Sequence, residues 1–422
     1  MNYIDLFAGL GGFHVGLERL GHKCVFASEI DRNLSDLYET NFNLRVAGDI
    51  RKIALKDIPK HDILCAGFPC QSFSQAGNRL GLKDNRGSLF YEIVRILEYH
   101  KPKFFILENV PNLFRHNSGK TWKTIERVLT KKLGYHIDKD FLSPHHFGVP
   151  QYRKRLFIVG SRVSMRGFNW PERINNERIS INSILDKNPK SAKKLPRREL
   201  ECIRVWQKFI TAIPKNEELP SFPIWTTEFG ATYPYNGKPP ILKSKSELAK
   251  FRGSFGVSLK RLVKTGQIEK IPKYARDNEV FPQWKQDFIR QNREFYIKFK
   301  KQIDPLLPRI KELPFSWQKF EWNCNGERRD LSKMILQFRA SGIRVKRPNF
   351  SPSLISSTST QIPIITWEKR YMTPKEAAKL QSLERLELFP SQGASFKALG
   401  NAVNAEIVYQ IAKRLIRPHK NK

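Results

Sequence analysis

Acidic residues are scarce in this chain. Only 40 Asp and Glu stand against 75 Lys and Arg over 422 residues, a formal charge of +35 and a sequence pI near 10.1. So much charge of one sign costs self-repulsion, which predicts a polyanionic partner, nucleic acid first and an anionic membrane surface second. Cysteine is sparse too. Cys24, Cys65, Cys70, Cys202 and Cys324 form no C-x-x-C pair, which argues against a disulfide framework and fits a reducing compartment. No apolar run approaches the roughly 18 residues that a membrane span needs. The opening MNYIDLF lacks the basic, apolar and small-residue order of a signal peptide, so the expectation is a soluble, cytoplasmic protein. Internal repeats and low-complexity tracts are missing, while 40% hydrophobic residues suffice for a sizeable core.

The first 160 or so residues alternate β-rich runs with amphipathic stretches. Strands are expected at Tyr3 to Phe7, Lys23 to Ala27, Asp62 to Ala66, Lys103 to Leu107 and Leu156 to Gly160, with a weaker one at Arg45 to Ala47. Helices are expected at Phe13 to Leu20, Leu34 to Asn41, Ser88 to His100 and Thr121 to Leu133. This alternation predicts an α/β fold with a doubly wound, mostly parallel sheet. After about residue 165 the rhythm dissolves into interspersed proline, aromatic and basic residues. The stretch 171–370 holds twice as many Lys and Arg as Asp and Glu, and over half of the net charge. Order returns at Thr373-Pro374-Lys375-Glu376, a capping box with proline at the first helical position, and a last helix is expected over Ala405 to Ile416. A basic module therefore interrupts the α/β part, and the C-terminus completes it.

Four constellations could carry chemistry. Gly9-Leu10-Gly11-Gly12 lies between a strand and a helix, and Glu29 follows Gly9 by 20 residues at the end of the second strand, where a carboxylate can hold ribose hydroxyls. That pattern suits a dinucleotide, S-adenosylmethionine or plain strand–helix packing, and it is not the full G-x-G-x-x-G fingerprint. Asp49, after the third strand, is a second cofactor contact or a surface turn. Gly67-Phe68-Pro69-Cys70-Gln71-Ser72 follows a buried strand, so Cys70 falls beyond a strand's carboxyl end, whereas Cys24 and Cys65 lie inside apolar runs and read as core. Glu108 ends the apolar run Phe104 to Leu107 on the same sheet edge, where desolvation would favour its protonated form. Gln151-Tyr152-Arg153-Lys154-Arg155 precedes a strand, and in an extended chain Gln151, Arg153 and Arg155 share one face.

Taken in order, these segments resemble the DNA (cytosine-5) methyltransferases. The resemblance rests on Asp5-Leu6-Phe7-Ala8-Gly9-Leu10-Gly11-Gly12-Phe13, Gly67-Phe68-Pro69-Cys70-Gln71-Ser72-Phe73-Ser74, Arg86-Gly87-Ser88-Leu89-Phe90, Glu108-Asn109-Val110, Gln151-Tyr152-Arg153-Lys154-Arg155, Thr373 to Gln381, and Gly400-Asn401-Ala402-Val403-Asn404. It implies that Cys70 adds to C6 of a flipped cytosine, that Glu108 protonates or hydrogen-bonds N3, and that Arg153 and Arg155 steady the base carbonyl and the cysteine loop. It implies S-adenosyl-L-methionine as cofactor, held by Phe7, Ala8, Gly9, Gly11 and Gly12, by Glu29 at the ribose with Ile30 beside it, by Asp49 and Ile50 at the adenine, and by Pro69, Leu89, Asn401 and Val403. No metal is implied. The same resemblance divides the chain into a catalytic domain over 1–166, a target-recognition domain over 167–366 facing double-stranded DNA, and a returning segment over 367–422. A monomeric bacterial or phage modification enzyme, paired functionally with a restriction endonuclease and needing no obligate protein partner, is the resulting expectation. A zinc cytidine deaminase is excluded, since Pro69-Cys70 is followed by Phe73 where a second cysteine is needed and no histidine begins His-x-Glu. A tRNA cytosine-5 methyltransferase would carry a Cys-Phe-Thr signature, absent here. A catalytically silent DNA-binding regulator is disfavoured by the presence of Cys70, Glu108, Arg153 and Arg155.

Overall fold

The computed structural model describes residues 1–68, 89–174, 179–355 and 361–416. The expected contributions of Pro69, Cys70 and the 71–74 and 86–88 segments lie outside the described residues, as does the basic tail 417–422. By contact the chain divides into two compact units. One comprises Met1–Ser191, Asn349–Ser359 and Met372–Lys422, and the other Ala192–Pro348 and Thr360–Tyr371.

Side-chain alternation builds the first unit. In β4 (Ile63–Gly67), Ile63 and Cys65 point to one face of the sheet, and Leu64 and Ala66 to the other. In β5 (Phe104–Asn109), Phe104 and Ile106 join the first set while Phe105 and Leu107 join the second. All are buried, so both faces need cover, which is why these strands read as continuous apolar runs. Phe90, Ile93, Val94 and Leu97 of the helix Leu89–His100 cover one face, with Trp122 and Ile125 of the helix Lys120–Arg127. Phe13 and Leu17 of the helix Gly12–Glu18 cover the other, with Ile407, Val408 and Ile411 of the helix Ala405–Leu415. Cys24 and Cys65 sit in this core as expected, and burial pushes the Cys24 thiol up to about 12.

With β1 (Asn2–Leu6), β2 (Lys23–Ser28), β3 (Val46–Ala47), β6 (His136–Leu142) and β7 (Arg155–Ser161), the seven-stranded sheet has the order β3-β2-β1-β4-β5-β7-β6. Pairing is parallel from β3 through β5, and β7 is inserted antiparallel between β5 and β6. This is the α/β, mostly parallel fold expected. Strand order reverses between β1 and β4, and the carboxyl ends of strands at such a switch point open a crevice. The edge strand β6 was not foreseen. Its sequence HIDKDFL is charged and only partly buried, so it carries no apolar rhythm. The expected helix over Thr121 to Leu133 ends earlier, at Arg127, and continues as a π-helical turn over Val128–Lys132.

The second unit has a six-stranded sheet of order β13-β12-β10-β11-β9-β8. It is formed by β8 (Ile224–Trp225), β9 (Lys319–Asn323), β10 (Ile335–Arg339), β11 (Gly342–Lys346), β12 (Ile364–Ile365) and β13 (Arg370–Tyr371). Half of these strands are two residues long, too short to leave a period in the sequence. Trp206, from the helix Arg197–Ala212, stacks on Phe320 at 4.5 Å and donates from Nε1 to the Trp317 carbonyl at 2.9 Å. Trp206, Trp225 and Tyr233 are buried core, whereas Trp284 is 55% exposed.

The contact between the helices Gly12–Glu18 and Ala405–Leu415 requires glycine at position 16. A methyl group there would lie 2.7 Å from Val408 Cβ and 2.8 Å from the Ala405 carbonyl oxygen. Gly16→Ala should therefore cost about 1–3 kcal/mol through overpacking. A lower denaturant midpoint at unchanged slope is the expected result, and an unchanged midpoint would show that the helices are not in close contact.

Candidate active site

Chain reversals at the ends of β1 and β2 create the first half of the site. Phe7, directly after β1, holds φ at 57°, a left-handed conformation that a side chain adopts only under constraint. Gly9 and Gly11 also take positive φ. The Ala8 N–H donates to the Ser28 carbonyl at 3.0 Å, tying the loop to β2. Just past β2, the Glu29 carboxylate accepts the Gly9 N–H through Oε2 at 3.0 Å and the Asp31 N–H through Oε1 at 2.9 Å. Each oxygen keeps a lone pair for a further donor. Beside it Ile30 is 69% exposed, an apolar surface next to a carboxylate.

Asp49 caps the 3₁₀ turn Ile50–Lys52 by accepting the Arg51 N–H at 3.1 Å, and its carboxylate also pairs with the Arg51 guanidinium at 2.6 Å. Those hydrogen bonds hold the Asp49 carboxyl below the usual range. Ile50 is buried with the core side chains under the sheet, and the Asp49 side chain beside it is 13% exposed.

The second half lies at the ends of β4 and β5. Register places Glu108 opposite Gly67, the residue where β4 leads toward Phe68-Pro69-Cys70. A methyl group on Gly67 would lie 3.1 Å from Val403 Cγ2 and 3.8 Å from Glu108 Oε2, so Val403 and Glu108 converge on that strand end. Asn109 Nδ2 donates to the Phe68 carbonyl at 3.1 Å and fixes the last described residue before the cysteine segment. Glu108 pairs with Arg155 Nε at 3.0 Å, and its side chain is 12% exposed. Burial raises the Glu108 carboxyl above its ordinary range, opposed by the charges of Arg155 and then Arg153.

β7 begins only at Arg155, but the expected alternation holds ahead of it: Gln151 and Arg153 are buried, Tyr152 and Lys154 exposed. The Arg153 guanidinium donates to the carbonyls of Gly400 at 2.7 Å and Ala402 at 3.4 Å through Nη2, and of Leu354 at 3.0 Å through Nη1. It thereby grips the backbone on either side of Asn401. On the far side of that segment, a methyl group on Gly12 would stand 2.1 Å from the Val403 carbonyl oxygen, so only glycine permits the approach. Leu89 opens the first described helix after the cysteine segment. Ser143 and Asn109 were missed as functional residues. Ser143 Oγ accepts the Arg153 N–H at 2.9 Å, and its only trace in the sequence is a Ser-Pro helix start. A cavity of about 400 Å³ beside Asn401, lined by Asp31, Leu34, Phe389, Ala394 and Lys397, includes neither Glu108 nor the glycine loop and is not the reaction site.

The strand-end carboxyl, the glycine loop closed by Val403 and the arginine clamp share one sheet edge. The family described as C-5 cytosine-specific DNA methylase matches residues 1–417. This chain belongs to that family. The type II methyltransferase M.HpaII of Haemophilus parainfluenzae is 48% identical over 175 residues, 40% of this chain and 49% of that protein. M.HhaI of Haemophilus parahaemolyticus is 41% identical over 174 residues, 41% and 53% of the two chains. M.AluI of Cellulosimicrobium cellulans aligns over 99% of this chain and 92% of its own length at 29% identity. The chain spans about half the length of the first curated relatives it matches. Among solved structures, the methyltransferase EhMeth of Entamoeba histolytica shares the fold, with a TM-score of 0.52 at 17% identity over 100% of this chain and 99% of that one. Among the described residues no helix is long and apolar enough to cross a membrane.

Arg155 is the largest influence holding the Glu108 proton off, so Arg155→Gln should move the Glu108 carboxyl still higher. A 13C-detected titration of that side chain reads the shift directly, and a downward move would refute the pairing. The sign for stability follows. A carboxyl raised on folding binds its proton more tightly in the folded state, so its contribution is favourable at low pH and is lost as pH rises through the folded value.

Proposed function

We propose that this chain methylates C5 of a cytosine within a specific double-stranded DNA sequence. The observation that carries the reading is Glu108, 12% exposed and with its carboxyl raised above the ordinary range by desolvation, across from the strand end that leads into Phe68-Pro69-Cys70, in a chain matched by the methylase family over 1–417. When bound, S-adenosyl-L-methionine supplies an electrophilic methyl group. The residues present fit it: Glu29 retains acceptor capacity for ribose hydroxyls, Ile30 offers an exposed apolar face to the adenine with Ile50 below, and Asp49 can receive the amino edge. Phe7, Ala8, Gly9, Gly11 and Gly12, with Pro69, Leu89, Asn401 and Val403, would line the remainder.

C5 of an aromatic cytosine is a poor nucleophile, and the chain's own residues relieve that. The Cys70 thiolate forms a bond to C6, Glu108 gives its proton to N3, and the displaced π electrons settle between C4 and C5. C5 would then take the methyl group as the bond from that methyl to the donor's sulfur breaks, the electron pair staying on sulfur in S-adenosyl-L-homocysteine. A base removes the C5 proton, that electron pair restores the C5–C6 double bond, Cys70 leaves as thiolate, and N3 returns its proton to Glu108. Arg155 keeps Glu108 oriented. Arg153 holds the 400–402 backbone that closes the pocket. The reacting ring edge is shielded in a duplex, so the base is flipped out at a cost of a few kcal/mol. The basic region 167–366 would recognise the target, through phosphates and the major groove. The protein would act as a cytoplasmic monomer, protecting host DNA from a paired restriction endonuclease.

DNA containing 5-fluorocytosine should trap a covalent adduct in the presence of methyl donor, because fluorine replaces the proton that must leave. Cys70→Ser should abolish it, and normal methylation by that variant would overturn the mechanism. Glu108→Gln should slow methylation by roughly 10²- to 10⁴-fold, the usual contribution of a proton-transfer group. Bisulfite sequencing of DNA from expressing cells would identify the target. Binding to DNA should weaken steeply with salt, at a log–log slope near −0.9 per phosphate contacted. A flat salt dependence would remove the role given to the basic region.

A further inference from the structure

Arg95 lies one and a half turns into the helix Leu89–His100 and reaches back to the segment after β3. Its Nη2 donates to the carbonyls of Ile50 at 3.1 Å and Ile53 at 3.3 Å, and its Nη1 donates to Ile53 at 3.4 Å. Glu92, one turn earlier, accepts from Nε at 2.9 Å and sets the plane of the fork. Five residues on, His100 Nε2 lies 2.9 Å from the Leu55 carbonyl. One helix therefore holds the segment 50–55 at both ends.

The carbonyls that Arg95 caps need a donor. They flank the 3₁₀ turn Ile50–Lys52, whose closing bond from the Ile53 N–H to Ile50 is long at 3.4 Å. A short turn leaves its final carbonyls unpaired, and a cation at that end is favoured by the turn's dipole. The opposite end is capped by Asp49. Arg95 thus completes a turn whose first residues are Asp49 and Ile50, and it does so from the helix that Leu89 opens. Lysine could not substitute fully, because it lacks the planar fork that spans two carbonyls while a third nitrogen is held by a carboxylate.

We propose that Arg95 is a positioning residue for cofactor recognition: it sets Asp49 and Ile50 at the distance from Leu89 that the adenine ring requires. The inference rests on the assignment of adenine to Asp49 and Ile50 made above. The donors of Arg95 are engaged by Glu92 and the carbonyls of Ile50 and Ile53, so its loss should move binding of the cofactor and not the chemistry. Its side chain is one-third exposed, which leaves no buried vacancy on truncation.

The test is calorimetric binding of S-adenosylhomocysteine and of S-inosylhomocysteine, in which an oxo group replaces the adenine amino group, to the full chain without DNA. Wild type should prefer the adenine ligand. Arg95→Ala should weaken that ligand roughly tenfold, the equivalent of one charge-assisted hydrogen bond, while weakening the inosine ligand much less. Arg95→Lys should recover part of the preference, and Glu92→Gln should reduce it slightly. The rate constant at saturating donor and the KM for DNA should stay within about twofold. Equal weakening of both ligands would reduce Arg95 to a general structural support and overturn the proposal, as would unchanged affinity. Should Arg95→Ala fail to fold, the lysine and Glu92 variants decide by the same ratio. If wild type bound neither ligand, the cofactor reading itself would fall, an outcome distinct from intact binding that is indifferent to Arg95.

Discussion

The close approach of Val403 to Gly12 is the constraint on which the site depends. Residues almost four hundred apart in sequence meet with no room for a side chain between them, and Gly16 repeats the condition one turn along the same helix. Once the helix Ala405–Leu415 is seated there, the preceding segment has no freedom. Val403 then lies over the carboxyl end of β4, beside Gly67 and Glu108. Arg153 then fastens that segment from the other side through the carbonyls of Gly400 and Ala402. The glycine loop that reads as a ligand cradle is thus also a packing surface. Gly12 answers to Val403, whereas the N–H of Gly9 answers to Glu29.

Glu108 shows how the same edge sets chemistry. A carboxyl at the mouth of a sheet could be exposed and ordinary. Here register brings it opposite Gly67, burial pushes its proton affinity up, and Arg155 pulls it back. The net direction is upward, so burial outweighs the arginines. Arginine suits the task because it keeps its charge whatever the neighbouring carboxyl does.

What could be read in advance follows from which interactions leave local traces. Strands β4 and β5 are buried on both faces and so appear as unbroken apolar runs, and Cys24 and Cys65 are core. Glu108 was legible because it terminates such a run. The strand β6 and the short strands β8, β12 and β13 carry no period, being half-exposed or two residues long. The helix Gln392–Asn401 was missed because glycine and serine lower its propensity, and its stability comes from packing. Alternation from Gln151 to Arg155 is kept, with Gln151 and Arg153 buried and Tyr152 and Lys154 exposed, but the carbonyls that Arg153 holds lie some 200 to 250 residues away in sequence. Nothing local records such a contact. Asp49 was ambiguous between cofactor contact and surface turn, and the structure shows why: the residue that would receive a ligand also caps a turn.

Several arginines that swell the positive charge are spent inside the fold. Arg153 and Arg95 grip backbone carbonyls in the first unit, and in the second Arg329 donates to the carbonyls of Ile213 and Pro214. Carbonyls satisfy the donors of Arg153 and Arg329 without neutralising them, so those charges still add to the field around the protein, whereas Glu92 pairs with Arg95 at 2.8 Å. Arg293 differs, because the buried Glu228 cancels it at 3.0 Å. A charge of +35 therefore overstates the number of direct phosphate contacts but not the long-range attraction toward a polyanion. Under the proposed function, such separation would serve a search along DNA followed by action at one sequence. The field needs no particular geometry, whereas base recognition does, and the arginines already locked in the fold serve the first purpose without competing for the second.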